Sequence, residues 1–258
     1  MPLIASRAGG SAQGFGFASK GASVAATGGT ETTSGGFKYH KYTSTSNFVV
    51  TAGGKIDYMI LGGGYGGLNY SASSGGGAAA SFLEGTDETI GTGTMAVTVG
   101  GDSTQSSVAF VTLGTKATTG RQGYGQSGNS DLRAATGIGI YSGGAGTYGG
   151  GGGAGMGADG NGSPGNINVY LGGAGGTGIQ RTTYATATTS GQGNYYGGGG
   201  GGGGGFGGGG GGGAGGGGAG GGQSPGGGAT ANTGSGGGGA YPTQGAGGSG
   251  IVIIRYAV

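Results

Sequence analysis

Between Phe37 and Leu113 the apolar residues come in short β-branched and aromatic runs separated by glycine and polar residues: FKYHKYTSTSNFVV (37–50), KIDYMIL (55–61), TMAVTV (94–99) and SSVAFVTL (106–113). Runs of this length and composition predict four or five β-strands. In KIDYMIL the two-residue period puts Ile56, Tyr58 and Ile60 on one face and Asp57, Met59 and Leu61 on the other. A further run, IVIIRY (251–256), is the most apolar in the chain. It is expected to pair in the same sheet, with 55–61 or 94–99 as its neighbour, because that apolar content has to be buried.

Outside these runs the periodicity vanishes. Residues 1–36 are rich in Gly, Ala, Ser and Thr with isolated Leu3, Ile4, Phe15 and Phe17, which suits an extended attachment arm. From about 121 to 250, glycine tracts near 142–157, 172–178, 197–222 and 234–250 alternate with polar inserts. Residues 197–222 contain only Phe206, Ala214 and Ala219 besides glycine, which excludes helix and sheet on propensity. The organisation predicted is an arm over 1–36, a β-rich part over 37–120, and a glycine body over 121–258 closed by the strand 251–256.

Composition decides what the glycine tracts can be. The chain has 86 Gly in 258 residues, no Cys, no Trp, one His and a net charge of +2. Leu, Ile, Val and Phe make up about 14% of residues, too few for an ordinary apolar core. The low net charge, however, does not hold the chain open. One outcome is a flexible coil. The other is a three-residue helix of the polyproline II kind, whose N–H and C=O groups all point sideways and bond to neighbouring helices. Ordering a residue costs about 1–2 kcal/mol, whereas a net hydrogen bond returns about 0.5–1.5 kcal/mol and a Cα–H···O contact about 0.5–1 kcal/mol. A lone glycine helix therefore loses, and a stack in which nearly every amide is paired wins. The pure-glycine tract belongs at its centre, with Tyr148 and Met156 on outer layers. The fold class predicted is mostly β and irregular: a small β-rich part plus a stacked polyglycine II sandwich with protruding loops and essentially no α-helix. Four prolines and no Gly-X-Y period exclude collagen.

The strand running into Gly62–Gly67, the segment Val97–Ser107 and the closing GSGIVIIRY (248–256) together resemble the glycine-rich domain of phage tail and fibre proteins. The arrangement of glycine tracts and loops is similar to T-even-type long-tail-fibre adhesins, whose polyglycine II helices carry distal host-recognition loops. The resemblance implies a virion adhesin located on a tail fibre or the virion surface. Its implied partners are other virion proteins through residues 1–36 and a bacterial surface glycan or outer-membrane protein. Two alternatives remain open: a capsid decoration or tail-structural protein without receptor binding, and a self-associating silk- or wall-like protein. A homo-oligomer is compatible with each.

The chemistry that the sequence offers points to binding rather than catalysis. Gly62–Gly67 satisfies G-x-G-x-x-G with Asp87 downstream, but SASSGGGAAASFLEG (71–85) offers no cofactor-binding helix, so no cofactor is expected. His40 has no second His, Cys or carboxylate beside it, and reads as a strand residue without a triad. Glu84, Asp87 and Glu88 read as a solvated turn, and Gly155–Asp159 is one isolated GxGxD; no metal site is assigned. Residues 1–19 hold no apolar stretch suited to a signal peptide. No 18-residue apolar run exists and charge is nearly balanced, so neither membrane insertion nor nucleic acid is expected. The inserts 123–136, 158–170, 179–196 and 223–233 concentrate Tyr, Asn, Gln, Ser and Thr, a mixture of rigid amphipathic rings and adaptable hydrogen bonds. The contact candidates are Tyr124, Tyr170, Arg181, Tyr184, Asn194, Tyr195 and Tyr196.

Overall fold

The computed structural model describes residues 23–69, 74–110, 113–118, 144, 149–165 and 170–258. These described residues form twelve strands and one helix: β1 (Ala25–Thr27), β2 (Thr30–Ser34), β3 (Phe37–Tyr42), β4 (Ser46–Ala52), β5 (Gly54–Leu61), β6 (Phe82–Ile90), β7 (Gly93–Thr98), β8 (Ser106–Phe110), β9 (Gly114–Thr118), β10 (Ile179–Gln180), α1 (Thr182–Thr188), β11 (Tyr195–Tyr196) and β12 (Ile251–Ala257). The fold is mostly β and irregular, with α1 its single short helix among the described residues.

Two five-stranded antiparallel sheets, ordered β1-β4-β7-β8-β9 and β2-β3-β12-β5-β6, pack face to face. Ile56, Tyr58 and Ile60 of β5 and Val252, Ile254 and Tyr256 of β12 meet Phe48, Val50, Met95, Val97, Val108 and Phe110 of the other sheet in one apolar core. The opposite face of the second sheet contributes Met59, Leu61, Ile251 and Ile253 to a second core with Ala79, Met156, Tyr184 and Tyr196. β12 is thus buried on both sides, which explains its unbroken apolar run. It lies between β3 and β5, with Ile253 opposite both Lys41 and Met59, and does not pair with β7.

Three predicted boundaries move. The arm–sheet border at 36/37 falls inside the β2–β3 hairpin, where Gly35 and Gly36 take positive φ, so residues 25–34 belong to the sandwich. The run 37–50 is two strands, β3 and β4, in different sheets. The glycine body begins at 62 rather than 121, and the closing strand is central to the sandwich. Residues 1–22 and 119–143 of the predicted arm and body, and Tyr148, lie outside the described residues.

The body consists of extended segments 62–68, 74–80, 149–157, 158–163, 172–178, 197–204, 208–214, 216–222, 226–229, 234–240 and 245–250, bonded amide to carbonyl. Segment 197–204 is its axis. Its amides at Gly199 and Gly202 donate to Gly176 and Gly173, those at Gly200 and Gly203 to Gly77 and Ser74, and those at Gly201 and Gly204 to Gly218 and Gly221. Its carbonyls accept from Met156, Gly153 and Gly150, from Gly236 and Gly239, and from Gly213 and Gly210. Each neighbour is met at every third residue, so the helix has three residues per turn and six bonded neighbours, with N···O distances of 2.6–3.0 Å. Gly198–Gly213 avoid φ between +20° and +160°, as a left-handed helix of this kind requires. The long tract 197–222 is therefore three helices, folded back at 205–207 and 214–216. Met156, expected on an outer layer, instead plugs the end of its helix into the second core.

Candidate recognition face

The helices run alternately away from and towards the sandwich, so the body has two ends. At the near end Leu61, Phe82, Tyr196 and Ile251 lead directly into or out of strands. At the far end Leu68 donates to Gly75, Ala240 to Leu68, Gly150 to Gly203, Gly172 to Gly208 and Gly204 to Gly221, which brings the far turns to one level.

Most of the predicted contact residues sit at the near end. In insert 179–196 the Tyr184 ring is buried with Tyr39 and Ala185, and Tyr196 is fully buried beneath the second sheet. The Arg255 guanidinium lies 5.0 Å from the Tyr184 ring centroid and 4.5 Å from that of Phe37, while ion-pairing to Asp57 at 2.8 Å. Burial pushes the Tyr184 and Tyr196 hydroxyls above the usual phenol range. The Tyr196 hydroxyl bonds Ser190 Oγ at 2.6 Å. Arg181 donates from Nε and Nη2 to Glu84 at 3.2 and 3.0 Å, Thr32 Oγ1 donates to the Ala187 carbonyl and Lys41 Nζ to that of Thr188.

Burial corrects the assignment of Tyr184 and Tyr196 as receptor contacts: they tie the insert down, while Arg181 is half-exposed and paired with Glu84. Tyr195 is half-buried in the β10–β11 pair, and Asn194 holds its turn at φ 69°. The depression lined by Glu84, Gln180, Arg181, Thr182, Thr183, Tyr184 and Arg255 contains two guanidiniums, each already facing a carboxylate. Its charges cancel. Tyr124 lies outside the described residues.

The far end is different. Phe206 is 84% exposed and Tyr241 58% exposed; the third large exposed hydrophobic of the described residues, Val258, is the last residue. Phe206 meets Tyr170 edge-to-face at a centroid distance of 6.3 Å. Glycine makes these turns contiguous: a Cβ on Gly207 would meet the Tyr170 carbonyl at 2.6 Å, and one on Gly222 the Gly207 carbonyl at 2.5 Å. Gly221 abuts Ala240, and Asn69 Nδ2 donates to the Pro242 carbonyl. Tyr170, Phe206, Gln223, Ser224, Tyr241 and Gln244 thus share one surface. Of the predicted candidates among the described residues, only Tyr170 belongs to it. Phe206 and Tyr241 were missed because each stands isolated in glycine or beside proline, outside any Tyr- and Asn-rich insert.

The other chemical motifs have structural roles. Gly62–Gly67 is followed at 74–80 by a glycine helix and not by an α-helix. His40 is fully buried, with Nδ1 2.8 Å from the Gly28 carbonyl and Nε2 3.2 Å from the Tyr256 hydroxyl. Among the described residues there is no group of three His, Cys, Asp or Glu side chains able to hold a metal, and no helix long and apolar enough to cross a membrane. No family model, curated protein or solved structure matches the chain.

Proposed function

We propose that this protein is a phage virion adhesin that presents a recognition face at the far end of a polyglycine II body, with the β-sandwich as its base. The observation that carries this reading is the placement of Phe206 and Tyr241 on the far turns, while the helices between carry almost no side chains. Exposed aromatic rings on loops held by a rigid scaffold are the arrangement of a binding surface. An amide lattice fixes the turns, so little loop entropy is lost on binding. The same arrangement is what the resemblance to tail-fibre adhesins implies.

Antibodies against this chain, imaged on intact virions by electron microscopy, test the proposal. A few labels at fibre tips, together with blocked adsorption, are expected. Hundreds of labels over the capsid with unchanged adsorption would establish the decoration alternative.

A further inference from the structure

The far face carries no charge among the described residues. Among the described residues every Asp, Glu, Lys and Arg lies on the sandwich, in insert 179–196, at Asp102 or at Asp159. The far turns at 163–165, 170–171, 205–207, 223–225 and 241–244 contain none. Capture of a phosphate or an acidic polysaccharide uses Arg or Lys. Hot spots for protein partners draw on Trp and Arg as well as Tyr. The described residues of this face include none of these cations, and the chain has no Trp. It offers rings and uncharged hydrogen-bonding groups.

We infer that the far face binds a neutral saccharide, with Phe206 and Tyr241 stacking on sugar rings and Gln223, Ser224, Thr243 and Gln244 bonding the hydroxyls around them. The inference rests on the recognition reading above. A pyranose presents a patch of C–H bonds with partial positive charge on one face, and an aromatic ring presents a negative face to it. The edge-on contact with Tyr170 props the Phe206 ring, and its 84% exposure leaves a face open to such a patch. Side chains of Gln, Ser and Thr donate and accept, as hydroxyls do.

The full chain is applied to an array of neutral and acidic oligosaccharides at low and high salt, and in parallel to a panel of bacterial strains treated with periodate or with proteinase. The expected result is binding to at least one neutral oligosaccharide, insensitive to salt because no charges are engaged, and loss of cell binding after periodate. Phe206→Ala weakens that binding about tenfold with an unchanged melting temperature. Cell binding that survives periodate but is lost after proteinase overturns the saccharide inference and leaves the recognition reading standing. Preference for acidic sugars, or loss of binding at high salt, overturns it equally. A folded chain that binds no cells under any treatment overturns both readings.

Discussion

The Tyr184 ring and the Arg255 guanidinium, 5.0 Å apart, join the only α-helix of the described residues to the central strand of the second sheet. Arg255 is fixed from the other side by Asp57, whose carboxylate also accepts from the Asp87 amide. Insert 179–196 is thus part of the base and is not a free loop. Tyr184→Ala removes a buried ring and its cation contact, and should cost about 3 kcal/mol. Urea denaturation measures this cost, and limited proteolysis should show new cleavage within 182–194. Tyr195→Ala, at a half-buried position, should cost less than about 1 kcal/mol.

Glycine substitutions separate the interior of the lattice from its rim. A Cβ on Gly202 would lie 1.9 Å from the Gly150 carbonyl oxygen, and one on Gly200 1.9 Å from that of Gly237. No rotamer relieves a clash between a Cβ and backbone, so Gly202→Ala should abolish soluble folding. Gly211 has nothing within 4 Å of an added Cβ and no positive φ. Gly211→Ala should leave stability unchanged or raise it by about 0.4–1 kcal/mol through the unfolded chain. Thermal melting of the two variants distinguishes the cases.

The same contrast shows how much of the molecule was legible in the sequence. The spacing of Leu171, Ala174 and Thr177 marks the outward column of one helix, with glycine filling the inward columns, and the apolar content of IVIIRY announced a strand paired within the sheet. β6 was illegible because Gly85 and the polar stretch Thr86–Thr89 read as loop. Gly85 is required there because the Tyr58 ring lies across it: an added Cβ would meet Cε1 at 2.5 Å. The role of Tyr184 depended on Arg255, 71 residues away and on another element, which no local pattern reveals. A tyrosine-rich insert looks the same in sequence whether its rings face solvent or a sheet.

Acid should weaken the sandwich through His40. Burial holds the imidazole below its ordinary pKa of 6.5, against the opposing pull of Glu31 at 3.8 Å and with Lys38 adding to the depression. The neutral ring donates from Nδ1 to Gly28 and accepts the Tyr256 hydroxyl at Nε2. The unfolded chain takes up the proton first, so the contribution of His40 is complete above pH 6.5 and is lost as pH falls from there through the lower folded value. Glu31, held below its usual range by its hydrogen bond to Lys38, adds a separate loss only below pH 4.5. Urea midpoints between about pH 7.5 and 5.5 should decline for the native chain and stay flat for His40→Asn.

Register along the glycine axis follows a rule of three. Each amide of 199–204 and each carbonyl of 197–203 points at one neighbour, and the assignment repeats only after a full turn of three residues. Because 197–205 is unbroken glycine, deleting any one of these residues gives the same chain: the remaining glycines slide along the screw into the same sites, and the loss falls on the turn 205–207. The ladder is tested where a helix carries side chains. In 172–178, Ala174 and Thr177 stand three apart on the open column, whereas a Cβ on Gly175 would lie 2.0 Å from the Gly199 carbonyl oxygen. Exchanging the two residues (Ala174→Gly with Gly175→Ala) keeps the composition but turns the methyl into the interior, and should yield no folded protein, because no rotamer relieves a clash between a Cβ and backbone. Thr177→Ala, on the open column, should shift the melting temperature by only a few degrees, about the effect of 1 kcal/mol or less. Circular dichroism and thermal melting of the two variants decide it: a folded exchange variant would show that the three-residue ladder does not hold this helix in place.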